Sequence, residues 1–246
     1  MNSNPYIAAI ITASAAFIAA VIAQIISHWL TKRRENHKYY KEVYQKLYAP
    51  ILFELYIYID VRTAFRRSND IKVGIDVDQV KQKIFTHISE NLMFATPQVI
   101  SALHNVRFYD YHLDLRGNKQ IIYEIVLFWH MLDQLLKLNT NTKLFDSSNK
   151  KTLTNYSFHY LLWSSISELR GEDAYTILSY KHNLKIEKLT KRLYNNLKNI
   201  LRKYYSGEKG IHVLKDAVEE VVTKLTNGSG EFSPHAKTYL ERSKDF

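Results

Sequence analysis

Apolar residues fill the beginning of this chain almost without a break and then fall into a repeat of about 3.6 residues for most of its length. From Tyr6 to Leu30 the only ionisable side chains are Tyr6 itself and His28. Ile7 to Ile26 alone supplies 20 positions, about 30 Å of helix at 1.5 Å per residue, enough to cross a bilayer's hydrocarbon. Residues 1–30 are therefore expected to form a transmembrane helix. A cleaved signal peptide would have a charged leading region and a shorter apolar core, so an uncleaved anchor is the expectation.

Beyond the span, Tyr40, Tyr44, Leu47, Ile51, Leu55 and Tyr58 predict a helix that continues from the anchor and is kinked at Pro50. Val80, Ile84, Ile88 and Leu92 predict the next. Thr96-Pro97 reads as a cap followed by proline at the first helical position, opening a helix with Val99, Leu103, Val106 and Leu113 inward and ending at Gly117. Ile122, Ile125, Trp129, Leu132 and Leu136 mark another stripe, and the polar run Asn139 to Ser157 reads as a loop. A short helix through Phe158, Leu162, Ile166 and Leu169 is expected to end at Gly171. A long helix from about Glu172 to Tyr205 follows, then one through Ile211, Leu214, Val218, Val221 and Leu225. Asn227-Gly228-Ser229-Gly230 reads as a flexible break and Ser233-Pro234 as the start of a last short helix. Ile71-Lys72-Val73 is the one place for a brief strand. The fold class is all-α: a transmembrane helix over 1–30, a juxtamembrane basic helix over 31–70, and a helical domain over 71–246.

Composition supports that reading. With 7 glycines and 4 prolines in 246 residues, sandwiches, barrels and propellers lack their turn residues, while 46% hydrophobic residues exclude wholesale disorder. The absence of cysteine excludes a disulfide scaffold, thiolate zinc sites and a cysteine nucleophile. No Walker loop, GxGxxG, HExxH or GxSxG occurs. Asp110, His112 and Asp114 alternate on an expected helix and so diverge. His130 and Asp133 have metal-ligand spacing but sit beside Trp129 and Leu132, where a hydrogen-bonded, partly buried histidine is expected. No enzyme activity, metal or cofactor is expected.

The anchor has two unlike faces. Ala9, Ala13, Ala16, Ala20, Ala23 and Ser27 follow spacings of 4, 3, 4, 3 and 4, a seam for left-handed helix packing. Ala8, Thr12 and Ala19 flank it on one side and Gln24 on the other, while Ile7, Ile10, Ile11, Phe17, Ile18, Val21 and Ile25 gather opposite. Lipid tails do not distinguish Ala from Ile by polarity, but helices that pack together do, since small residues let backbones approach. Self-association through this face is expected, with Thr12, Gln24 and Ser27 finding partners in or beside it.

The formal charge of +10 is concentrated in two segments. Residues 31–72 hold 10 Lys/Arg against 5 Asp/Glu, and residues 181–209 hold 9 against 2. In the first, Lys32, Arg33, Arg34, Lys38 and Lys41 adjoin the span, whereas residues 1–5 hold no basic side chain. The positive-inside rule then places the N-terminus outside and the rest in the cytoplasm, with these five against anionic headgroups. In the second, Lys181, Lys185, Lys188, Arg192, Asn195, Asn199 and Arg202 are spaced 4, 3, 4, 3, 4 and 3. On one helix they form a stripe of cations and amides opposite an apolar stripe through Ile186, Leu189, Leu193, Leu197, Ile200 and Tyr204. Only Glu187 interrupts the sign, so the cations repel unless a polyanion such as a phosphate backbone relieves them. Tyr180, Tyr194, Tyr204 and Tyr205 are candidates to stack the bases of a single strand.

A charge-free N-terminal helix with a small-residue face, followed by a basic helical body, resembles the small membrane effectors of bacterial anti-phage defence. Among these it is most similar to the channel-forming effector of the Hailong type, which holds an oligonucleotide on its cytoplasmic side. The resemblance is architectural across the whole chain and carries over no individual residue. It implies a homo-oligomer whose spans make a pore controlled by a nucleic-acid ligand. The expected protein is thus an oligomeric single-pass inner-membrane channel regulated by a nucleotide or single-stranded oligonucleotide. The alternative is a membrane-tethered adaptor that docks an acidic protein or DNA and conducts nothing.

Overall fold

The computed structural model describes residues 5–64, 71–72, 74–114, 118–179 and 181–226. The chain separates into two compact units, divided between Val43 and Tyr44. The first holds one helix, α1 (Pro5–Val43), whose 39 residues extend well past the expected span. The second unit takes the rest, so the 31–70 segment is not a body of its own: its first part lies in α1, and α2 (Leu52–Arg62) folds with the second unit.

Pro50 acts where the pattern placed it. The ladder passes through a π-helical turn, Tyr44–Tyr48, and a 3-10 turn, Ala49–Ile51, before α2. Proline has no N–H to give the carbonyl four residues back. That carbonyl belongs to Lys46, and Nε2 of His87 lies 3.0 Å from its oxygen. His87 comes from α3 (Val77–Glu90), which opens on Asp76, whose carboxylate accepts from the Asp78 and Gln79 amides. α3 packs on α2.

The core forms around two helices of 24 residues each, α5 (Lys119–Thr142) and α6 (Ser147–Arg170). They pack on each other, and α4 (Pro97–Phe108) lies along α5. α5 is apolar nearly all round, from Ile122 through Phe128 and Trp129 to Leu138, as a central helix must be. Phe128 is the hub, meeting the rings of Tyr58, Phe85 and Tyr160 at 5.1, 5.5 and 5.9 Å. Tyr160 is fully buried, and its hydroxyl donates to the Leu55 carbonyl at 2.6 Å, so the polar end of the ring is satisfied. No strand occurs among the described residues, Ile71 and Lys72 included.

Four sequence expectations change here. The Asn139–Ser157 stretch is mostly helix: α5 runs to Thr142, α6 starts at Ser147, and only Lys143 to Asp146 links them. Lys143 adopts the left-handed conformation, φ 53°, Asn139 accepts the Phe145 amide at 2.8 Å, and Asp146 accepts the Asn149 amide at 2.7 Å. Those polar residues cap and coat helices and do not replace them. α4 stops at Phe108, nine residues before Gly117, and Leu113 is 85% exposed instead of inward. Asp110, His112 and Asp114 therefore lie in a turn with separate duties: Asp110 pairs with Arg107, His112 stacks on Phe108, and Asp114 accepts the Gln120 amide at the start of α5.

The fourth change is the largest. The expected helix from Glu172 to Tyr205 is four short pieces and one true helix. A 3-10 turn leads to α7 (Ala174–Ser179), then come 3-10 turns at Lys181–Asn183 and Ile186–Lys188, and α8 (Lys191–Tyr205) begins only after Thr190. The Lys185 amide donates to the Leu225 carbonyl at 2.9 Å, near the end of α9 (Ile211–Thr226), and Leu184 is buried. That non-local bond replaces a helical one. Thr190 then caps α8 by accepting the Leu193 amide at 3.2 Å. Gly171 does end α6 as expected. Its φ is +57°, the left-handed region that favours glycine, and a Cβ there would push aside the Asn118 side-chain amide, 2.5 Å away. The expected break at Asn227–Gly230 and the helix after Ser233-Pro234 lie outside the described residues.

Removing the hub ring leaves a cavity that these packed helices cannot close. Phe128→Ala is expected to lower stability by about 3–5 kcal/mol, whereas Phe53→Ala, at a ring 70% exposed, should change it by under about 0.5 kcal/mol. Urea unfolding in detergent, followed by tryptophan fluorescence, measures both.

Candidate polyanion-binding cleft

α8 is strongly two-sided. Leu193, Leu197 and Leu201 are buried, packing the helix against α9 and α6. The outward side carries Arg192, Asn195, Asn196 and Asn199, spaced 3, 1 and 3 and therefore on one face. Lys188, in the turn before the helix, joins them, and α9 contributes Glu220 and Lys224. Together these side chains line a cleft of about 690 Å³ between α8 and α9.

The electrostatics of this cleft are lopsided. Glu220 is engaged by Lys224 as an ion pair and by the Asn196 amide at 3.4 Å. Lys188 and Arg192 have no ion pair among the described residues, and the carboxamides of Asn195 and Asn199 have no hydrogen bond there. Two exposed cations and two exposed amides thus face one concavity with their bonding capacity open. Arginine offers a planar fork of donors and lysine a point charge, a set that suits phosphate oxygens.

The seven-residue stripe is therefore divided. Lys188, Arg192, Asn195 and Asn199 come together in the cleft. Lys181 does not: its ammonium bonds the Asp60 carboxylate at 2.7 Å and the Thr63 hydroxyl at 2.9 Å, a tie between distant parts of the second unit. Lys185 is exposed and lines no part of the cleft. Arg202 leans to the opposite edge of α8, where its guanidinium lies 3.7 Å from Asp133. The cations are also not left to repel one another for want of acids, as the sequence spacing implied, because non-local carboxylates serve Lys181, Lys198 and Arg202.

Asp133 stood out in sequence only for its spacing from His130, and its role as the shared partner of three cations was missed. It is 1% exposed and accepts from Lys198, with Lys137 at 3.2 Å, Arg202 at 3.7 Å and the Tyr194 hydroxyl at 3.3 Å. Burial works to raise its carboxyl, but the hydrogen bond and charge of Lys198, with Lys137, outweigh burial and hold it below the ordinary carboxylate value. The i,i+4 spacing of Asp133 and Lys137 was the only local signal. Lys224, Asn196 and Glu220 had none, since nothing in sequence joins α9 to α8.

The tyrosines are not stacking platforms for this cleft. Tyr194 is buried, with its hydroxyl 2.8 Å from that of Ser157, and Tyr204 bonds Glu168 at 3.3 Å. Tyr205 lines a different cavity, and Tyr180 lies outside the described residues. His130 is a partly buried histidine, but among the described residues its Nδ1 has no hydrogen-bond partner, contrary to expectation.

In the first unit, Ala9, Thr12, Ala13, Ala16, Ala20, Ala23, Gln24 and Ser27 all lie exposed along α1, and so do Lys32, Arg33, Arg34, Lys38 and Lys41. The apolar part of this helix is long and apolar enough to cross a membrane. Among the described residues no cluster of three or more His, Asp or Glu is placed to hold a metal.

Two histidines near these charges set a pH dependence. Burial lowers His130 to about 4, with Arg202 adding to burial and Asp133 opposing it. Burial and the charge of Lys181 lower His159 to about 4. Both values lie below the unfolded value of about 6.5, so the unfolded chain takes up protons first. Their contribution is complete above about pH 6.5 and is lost as pH falls toward 4; Asp133 acts only below about pH 3.9. The urea midpoint is expected to be lower at pH 5 than at pH 7.5, and His159→Gln should shrink the difference. Because buried Glu124 is raised and acts in the opposite sense, the decisive outcome is the variant: an unchanged pH difference in His159→Gln would contradict the assignment. No protein-family model matches the chain, and no curated protein and no solved structure matches it, so the cleft stands on its own geometry.

Proposed function

We propose that this protein is a membrane-anchored homo-oligomer that holds a nucleotide or single-stranded oligonucleotide in the α8–α9 cleft, and that occupancy biases an ion-conducting assembly of its N-terminal helices. The observation that carries the ligand is the open bonding capacity of Lys188, Arg192, Asn195 and Asn199 on one concave face. A surface that offers unpaired cations beside unbonded amides is complementary to phosphate oxygens alternating with hydrogen-bonding edges. Phosphate contacts supply affinity and amide contacts supply orientation.

The assembly rests on the alanine face of α1. Six small residues on one side of a helix, with isoleucines opposite, favour close backbone approach between copies. The basic run Lys32 to Lys41 supports an inner-membrane protein with its second unit in the cytoplasm. A ligand shifts the assembly only by its differential affinity for two states. This reading agrees with the channel-forming anti-phage effectors that the chain resembles.

Two measurements separate the parts of the proposal. Binding of a labelled single-stranded oligonucleotide by the detergent-solubilised protein should weaken with salt, with a slope near 0.7 per cation engaged. Lys188→Gln and Arg192→Gln should each reduce that slope by about 0.7, and an unchanged slope in both would remove the cleft from the proposal. Ala16→Leu with Ala20→Leu should abolish ion leak from liposomes while leaving oligonucleotide binding intact. Binding without conductance in the unmodified protein would identify the membrane-tethered adaptor instead.

A further inference from the structure

A second concavity, of about 460 Å³, opens where α4 and α5 meet the last turn of α8. Its walls differ in kind from those of the cleft, because no charged side chain lines it. One wall is a polar row on α4: Gln98, Ser101 and Asn105 stand at i, i+3 and i+7. The hydroxyl of Ser101 and the carboxamide of Asn105 make no hydrogen bond among the described residues. His130 of α5 joins them, with its buried Nδ1 unpartnered. A buried ring nitrogen without a partner in a native fold calls for an explanation, and a bound polar group is one.

The remaining walls are flat and apolar. Tyr123 of α5 is held in place by Tyr109, whose ring stacks on it at 5.9 Å. Tyr205 closes the far end at 39% exposure, and Ala102 and Val126 form the floor. Aromatic and aliphatic walls with a few converging donors and acceptors favour a planar ring that bears polar edges, and this volume lies within the range of small-ligand sites. Amides, a hydroxyl and a neutral imidazole can each match either a donor or an acceptor on such an edge.

Charge flanks the cavity: the Glu168 carboxylate, paired with Lys119, lies by Tyr205, and a cationic cluster lies one helical turn away. Asp133 follows His130 by three residues on α5, and Arg202 precedes Tyr205 by three on α8. The two helices therefore bring the Asp133 cluster beside the cavity, about 5 Å along the axis. That cluster holds one carboxylate against Lys137, Lys198 and Arg202, an excess of two positive charges. Arg202 is its weakest-held member, at 3.7 Å from Asp133 and with its side chain 42% exposed, so most of its five N–H donors remain available.

We infer that this cavity is a binding site for a small heteroaromatic phosphate of nucleoside monophosphate size, with the ring between α4 and α5 and the phosphate on Arg202. It lies on the opposite edge of α8 from the cleft, shares no lining residue with it, and does not depend on the oligonucleotide reading. The ring edge is matched by polar groups that the fold leaves unbonded, and the anion by Arg202, which its long contact with Asp133 engages only in part.

The test uses the full chain in detergent and isothermal titration calorimetry with AMP, GMP, CMP and UMP. The matching nucleoside and inorganic phosphate serve as fragment probes. At least one monophosphate should bind, and its nucleoside should bind about tenfold more weakly through loss of the charge-assisted contact. Ser101→Trp, at an exposed position of α4, should fill the cavity and abolish binding, and the smaller change Asn105→Leu should weaken it at least about fivefold. Arg202→Gln should weaken binding about tenfold, and Arg192→Gln should leave it unchanged. The inference is overturned if no monophosphate binds at millimolar concentration, or if binding survives Ser101→Trp and Asn105→Leu. Loss of binding in Arg192→Gln would assign it to the cleft and overturn the inference equally.

Discussion

One buried carboxylate decides how the basic half of this protein is presented. Asp133 lies almost without solvent contact at the α5–α8 seam and draws Lys198, Lys137 and Arg202 to itself. A lone buried carboxylate is costly, and a paired, hydrogen-bonded one is tolerated. The pairing fixes α8 in rotation: with Lys198 and Arg202 turned toward Asp133 and the leucines toward α6 and α9, Arg192, Asn195 and Asn199 are left on the remaining side. The cleft, formed where α8 packs on α9, holds the cations that the buried carboxylate does not reach. Local repulsion, which the one-dimensional spacing suggested as the driving feature, is settled inside the fold for Arg202 and Lys181 and left unsettled for Lys188 and Arg192.

This division explains which parts of the molecule were legible in the sequence. Stripes with a 3.6 period located the core side of the long helices of the second unit, and Gly171, Pro50 and Thr96-Pro97 marked real boundaries, although Thr96 makes no side-chain capping bond. Those signals are local: a cap, a turn or a face involves residues within a few positions of each other. Misreadings arose where a distant partner decided the backbone. The 181–190 stretch kept perfect heptad spacing and still failed to form a helix, because the Lys185 amide found the Leu225 carbonyl 40 positions away. Spacing constrains faces only once a helix exists.

The Asn139–Ser157 stretch failed in the opposite direction. Asparagines, serines, threonines and lysines crowd there, and such residues favour loops when nothing else binds them. Here most of them coat the outward sides of two helices whose inward sides are among the most apolar in the protein, while Asn139 and Asp146 accept amides at the two ends of the four-residue link. Composition measured along a line cannot distinguish a solvated helix surface from a loop. For the site, half of the stripe was found because α8 is a true helix from Lys191 onward. The acids that neutralise the other half were invisible, since charge patterns register partners three or four positions away and no further.

The proline at position 50 has a mechanical consequence. By withholding its own N–H it leaves the Lys46 oxygen available, and His87 of α3 takes up a position 3.0 Å from that oxygen. The contact joins a fixed main-chain oxygen to the His87 imidazole, so it ties the residue-46 turn to α3 through one polar bond. In an unbroken helix that oxygen would accept from the amide four residues on and would not be offered to α3. The break therefore turns a lost helical bond into a tertiary one between the π-helical turn and α3.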